Sequence, residues 1–150
     1  MSDIDIRQFE KFSMRGTQLL SAGRTMELLS QSGNLTIHAK VYAEGGENSL
    51  HAHDTEDHAF FVLAGEATFT AADGSTIVLQ PYEGMTVPSG VFYTFLSSGE
   101  ENLVLLRVSA RCDDGGNPEV SPSGIRHAID GGEIRNAGEP VAAAGRQFGL

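Results

Sequence analysis

One cysteine, Cys112, stands in the 150 residues, so no disulfide can close within the chain and its fold rests on its own core. Tryptophan is absent, and basic residues are scarce: ten lysines and arginines stand against twenty acids, for a formal net charge of −10. A nucleic-acid surface needs clustered Lys and Arg, and an anionic membrane attracts the same clusters. The ten here are scattered, which argues against both partners. No apolar run approaches the roughly 20 residues needed to span a bilayer. The opening Met1-Ser2-Asp3-Ile4-Asp5 has neither the basic stretch nor the apolar core of a secretory signal. These absences predict a cytoplasmic protein.

Glycine is abundant, at 18 residues, and apolar residues fall in short runs. Such a chain favours turns and strands over long helices. Ile4, Ile6, Phe9 and Phe12, spaced between charges, suit a short helix or an N-terminal arm. Thr25–Gln31, the turn Ser32-Gly33-Asn34 and the alternating Leu35–Tyr42 read as a hairpin. His58–Leu63, Ala67–Thr70, Thr76–Leu79, Met85–Val87, Val91–Leu96 and Leu103–Val108 read as further strands. A second hairpin turns at Ala72-Asp73-Gly74-Ser75 and a third at Ser98–Asn102. The expected fold is all-β, an antiparallel sandwich or barrel in one domain, with its core over about residues 25–112. From Asp113 the composition turns to Gly, Ala and Pro, with isolated Ile125, Ile129, Ile134, Val141 and Phe148. The tail 113–150 is expected to be irregular, lying across the barrel or a partner subunit.

The chemistry concentrates in one spacing: Gly45, five residues, His51-Ala52-His53, four residues, His58, six residues, Gly65. On a strand His51 and His53 project to one side. His58 joins them if the strand it begins pairs beside theirs. Imidazole suits zinc, copper, iron and nickel, and three protein ligands with open positions mark a catalytic metal site.

Gly45–Gly65 resembles the first motif of the cupin superfamily, G-x5-H-x-H-x3–4-E-x6-G, and Tyr82–Ser97 resembles the second, G-x5-P-x-G-x2-H-x3-N. The likeness spans roughly residues 35–110. It implies an antiparallel double-stranded β-helix (jelly-roll barrel) whose mouth holds one divalent transition metal, commonly Fe, Mn, Ni or Zn. It implies a homodimer as well, a common assembly among cupins. The departures are specific. His58 stands where the family has glutamate, Tyr93 where it has the second motif's histidine, Tyr82 for its glycine and Ser97 for its asparagine. The candidate metal set is therefore His51, His53, His58 and Tyr93. Tyr93 has three open roles: a phenolate ligand, a catalytic or hydrogen-bonding group beside the metal, or a barrel-lining aromatic.

Glu56 or Asp57 can orient a ligand imidazole through its other nitrogen, or stand as solvated acids; Asp57 is out of phase with His58. His38 and Lys40 alternate with the apolar Leu35, Ile37, Ala39 and Val41, which places the two polar residues outside the core unless they line a barrel mouth or dimer. Arg107, in an apolar strand, requires a partner such as a substrate carboxylate or an interface acid. Phe60, Val62 and Ala64 should face inward with His58, leaving Phe61 and Leu63 outward for another layer or subunit. His127 is expected to be structural or exposed, and Cys112 has no neighbouring base that would make it a nucleophile. The resemblance and the cationic three-histidine site point to a small, anionic or chelating ligand and to an oxygenase, with an isomerase or lyase close behind. A non-catalytic ligand-binding or sensory protein is the competing reading, favoured by Tyr93.

Overall fold

A computed structural model of the chain describes residues 8–46, 49–112, 119–124, 126–127 and 139–150. The strands are β1 (Gln18–Ala22), β2 (Arg24–Gln31), β3 (Leu35–Tyr42), β4 (Ala52–His53), β5 (Glu56–Ala64), β6 (Ala67–Ala71), β7 (Thr76–Leu79), β8 (Gly84–Val87), β9 (Tyr93–Ser97), β10 (Leu103–Arg111), β11 (Glu119–Val120), β12 (Arg126–His127) and β13 (Val141–Gln147). Every pairing among the described strands is antiparallel. A five-stranded sheet, β2-β3-β10-β5-β8, faces a three-stranded one, β7-β6-β9, as in a double-stranded β-helix; β12-β11-β4 and β1-β13 complete the set. No described helix is long and apolar enough to cross a membrane.

The first two expected hairpins form: β2 pairs β3, and β6 pairs β7 across Ala72–Ser75. The third does not. β9 pairs β6 and β10 pairs β3 and β5, so Ser98–Asn102 carries the chain from one sheet to the other. A jelly roll closes by such crossings, which a turn signal alone cannot tell from a hairpin. The N-terminal reading falls partly on Ile4 and Ile6, outside the described residues; Phe9 and Phe12 lie in no helix or strand.

Two apolar cores flank the large sheet. The interior one contains Tyr42, Phe60, Val62, Phe69, Tyr93, Phe95, Leu103 and Leu105. The outer one packs Ala39, Val41 and Val104 against Met14 and Leu20, with Leu63, Ala64 and Phe148 at its margin. Asn102 clips β1 into place, accepting from Leu20 N at 2.8 Å and donating to Leu20 O at 2.9 Å.

This second layer overturns the placement of His38 and Lys40. The apolar side of β3 packs outward beneath the chain's own β1 and Phe148, and the polar side lines the interior. Leu63 is covered in the same way, whereas Phe61 stays 40% exposed. Phe60 and Val62 face inward as expected, but Ala64 joins the outer core. The ladder slips by one residue between Val104↔Ala64 and Leu105↔Val62, and a bulge of this kind turns the following side chain over. The tail also supplies regular structure: β11 pairs β4, and β13 pairs β1. Ile125, Ile129, Ile134 and the side chain of His127 lie outside the described residues.

Candidate metal centre

His51 and His53 flank buried Ala52 on a short extended segment, and both imidazoles are buried. His51 is tied to β9 through an isolated bridge with Tyr93: Tyr93 N donates to His51 O at 2.8 Å, and His51 N to Tyr93 O at 3.1 Å. Gly90 N, in the Pro88-Ser89-Gly90 turn, donates to His53 O at 2.8 Å. Asp57 holds the same turn, accepting from Ser89 N at 2.8 Å, so it braces backbone rather than an imidazole.

β4 does not pair with β5; β11 takes that place. The register sets Glu119 opposite His53, and directly opposed residues share a face. One ligand atom each from His51, His53 and Glu119 lies within 4.8 Å of the others, and all three residues are buried. His51 Nε2 is 3.7 Å from Glu119 Oε1. Its ring is fixed from behind, because Nδ1 lies 2.8 Å from the carbonyl of Ser49, which can only accept. That bond leaves Nε2 as a buried lone pair with no hydrogen-bond partner, the state in which imidazole binds a metal. Ligands about 2 Å from an ion lie roughly 3–4 Å apart, so small rotations of these side chains place all three on one cation. The donor set therefore fits a divalent transition metal.

His58 reaches the cluster without strand pairing between β4 and β5: its ring centre is 4.4 Å from that of His53. Its Nε2 lies 3.1 Å from Glu56 Oε2, so Glu56, of the two acids considered, is the one that orients it. Burial is the main cause holding the His58 pKa below its usual value; the Glu56 hydrogen bond opposes it and the charge of Arg107 adds to it. The imidazole is thus neutral near pH 7, donating from Nε2 and keeping Nδ1 as a buried lone pair without a hydrogen-bond partner. Tyr93 is buried, its ring centre 4.7 Å from His51 and 6.2 Å from His53. An apolar cavity of about 140 Å³ opens beside it, lined among others by Phe69, Ile77, Met85 and Val87.

The rings of His51, His53, His58 and Tyr93 lie close together, but among the described residues the set whose ligand atoms all lie within 4.8 Å of one another is His51, His53 and Glu119; Glu119 stands in the place expected for His58. Glu119 was missed. A two-residue strand after Asp113–Pro118 is too short to show a period, and only the tertiary pairing brings it beside His53.

Residues 40–109 match the model of a family described as the cupin domain. The chain therefore carries a cupin domain over those residues. Among solved structures it is similar to an uncharacterized conserved double-stranded β-helix protein from Klebsiella pneumoniae (17% identity, 72% of this chain and 95% of that one, TM-score 0.61). It is also similar to a cupin superfamily protein from Desulfitobacterium hafniense (24%, 59% and 78%, TM-score 0.52) and to KdgF from Halomonas sp. (20%, 61% and 83%, TM-score 0.53). No curated protein matches the sequence.

Proposed function

We propose that the protein is a metal-dependent enzyme of dioxygenase type acting on a small molecule. His51, His53 and Glu119 hold one Fe, Mn, Ni or Zn ion, and His58 Nδ1 is available as a further ligand. The buried Nε2 of His51, which faces Glu119 on a ring held through Nδ1 by the Ser49 carbonyl, is the observation that carries this reading. Glu119 restores an acid to the site although the first motif lacks its glutamate. A bound ion supplies Lewis acidity and an open position for dioxygen or a substrate oxygen. Tyr93 stands beside the ligands with a phenolic group able to hydrogen-bond there. The cavity on the side of Tyr93, which none of His51, His53, His58 and Glu119 lines, has about the size that accepts one benzene ring.

A second reading, a non-catalytic ligand-binding cupin, is favoured by the packing of Tyr93 with Phe60, Phe69 and Phe95 in the interior core. Elemental analysis of untagged protein, as purified and after reconstitution with each metal, separates the two. The expected result is about one metal per chain, lost in His53→Ala and retained in Tyr93→Phe. Oxygen consumption with candidate ligands then tests the reaction. Wild-type protein that holds none of the four metals overturns the enzyme and leaves the binding protein. A homodimer, with Phe61 on the outer face of β5, belongs to the same proposal and is checked by light scattering.

A further inference from the structure

The interior face of β3 and β10 carries a second polar cluster that the metal ligands do not use. Arg107 stands opposite His38 in the ladder, and Lys40 lies two residues along β3 on the same face. Both cations are only 5% exposed in a chain of net charge −10. Arg107 Nη2 donates to His38 Nδ1 at 3.2 Å and lies 3.7 Å from Met26 Sδ; Arg107 Nε is buried with no hydrogen-bond partner. Among the described residues no carboxylate lies within 4.0 Å of Arg107. A guanidinium withdrawn from water without an anion is costly, and its forked donors match a carboxylate. His38 does not supply the missing charge: burial, then the charges of Arg107 and Lys40, lower its pKa to about 4, so it is a neutral acceptor.

The position is suited to a ligand at the metal centre. Arg107 pairs with Phe60 and the next same-face pair is Ser109↔His58, which makes Arg107 a diagonal neighbour of His58. In a ladder such diagonal neighbours stand about 7–8 Å apart, so the two side chains project from one stretch of the interior face toward the same small ligand. The formal charges agree. Lys40 and Arg107 stand against Glu56, Glu119 and Asp54, whose Oδ1 is buried, so a divalent ion leaves these groups one charge positive.

We propose that Arg107, oriented by His38, anchors the carboxylate of the protein's ligand, and that the ligand is a small organic acid whose other end reaches the metal. The second half of this statement rests on the metal-centre reading; the first does not. Calorimetric titration of metal-loaded and metal-free protein with lactate, malonate and succinate tests it, with malonamide and sodium sulfate as controls and metal content read in parallel. The wild type is expected to bind at least one of the acids, with malonamide and sulfate binding far more weakly. Arg107→Met keeps the stem, removes the buried charge and should leave metal content unchanged while weakening acid binding about 10- to 100-fold. Arg107→Lys keeps the charge without the fork and should recover only part of the affinity; it also carries the test if Arg107→Met does not fold.

Acid affinity within about twofold of wild type in either variant overturns the anchor. So does sulfate binding as tight as that of the acids, or a wild type that binds none of the three. An Arg107→Met protein that is merely less thermostable, with unchanged acid affinity, assigns Arg107 a structural role and also overturns it. Loss of metal binding in the wild type fells the metal reading alone, because acid binding to metal-free protein still reports on Arg107.

Discussion

Tyr82 holds a left-handed backbone, φ +71°, with its side chain 79% exposed, at the position where the second cupin motif has glycine. The turn demands that conformation: Tyr82 N donates to Val62 O at 2.7 Å, and Glu83 N to Gln80 O at 3.0 Å. A left-handed L-residue costs about 1–2 kcal/mol, and glycine's extra unfolded-state freedom offsets about 0.4–1 kcal/mol. Tyr82→Gly should therefore raise stability by up to about 1 kcal/mol in urea unfolding. His38 gives a pH prediction. Its folded pKa of about 4 lies below the ordinary 6.5, so between those values the unfolded chain binds the extra proton and stability falls as pH falls. In metal-free protein the loss of Tm across that window should be shallower in His38→Gln. Glu56→Gln, which replaces the carboxylate that orients His58, should weaken metal binding about 10- to 100-fold if His58 is a ligand, read by competition with a chelator. Three of the histidines that matter were legible from spacing alone. The inward direction of His38, Lys40 and Arg107 was not, because β3 and β10 bury both faces and polarity no longer marks the outside.

At the scale of elements, the alternation of Leu35–Tyr42 and short runs between turn signals located β2, β3, β5, β6, β7, β8, β9 and β10 to within a few residues. Partners were another matter. Ser98–Asn102 has hairpin chemistry but joins two sheets, and β4 and β11, two residues each, have no period at all. Gly65 shows how tightly the elements meet. Its φ is +77°, and a Cβ there would lie 2.5 Å from Asn102 O and 2.8 Å from Leu103 Cα. Gly65→Ala meets both the left-handed cost and backbone that cannot give way, so a loss of about 2–4 kcal/mol is expected in urea unfolding. Gly74→Ala, with φ +84° and open space around its Cβ position, should lose only about 1–2 kcal/mol.

For the whole molecule, the outer core depends on segments far apart in sequence: Met14 and Leu20 before the large sheet and Phe148 after it. Gly16 N donates to Phe148 O at 2.7 Å, and Phe148 N to Thr17 O at 2.8 Å, closing the two ends on each other. Deleting residues 139–150 removes β13 and uncovers this layer, and should lower Tm, by several degrees in a thermal melt. The sequence by itself determined the all-β class, most strand positions, the three clustered histidines and the absence of a disulfide, because these follow from local period, fixed spacing and composition. Only the tertiary structure decided that Glu119 stands beside His53, that Arg107 is buried without a described acid, and that the polar side of β3 faces inward. Those facts depend on strand partners and on a second covering layer, both set by contacts between residues distant in sequence.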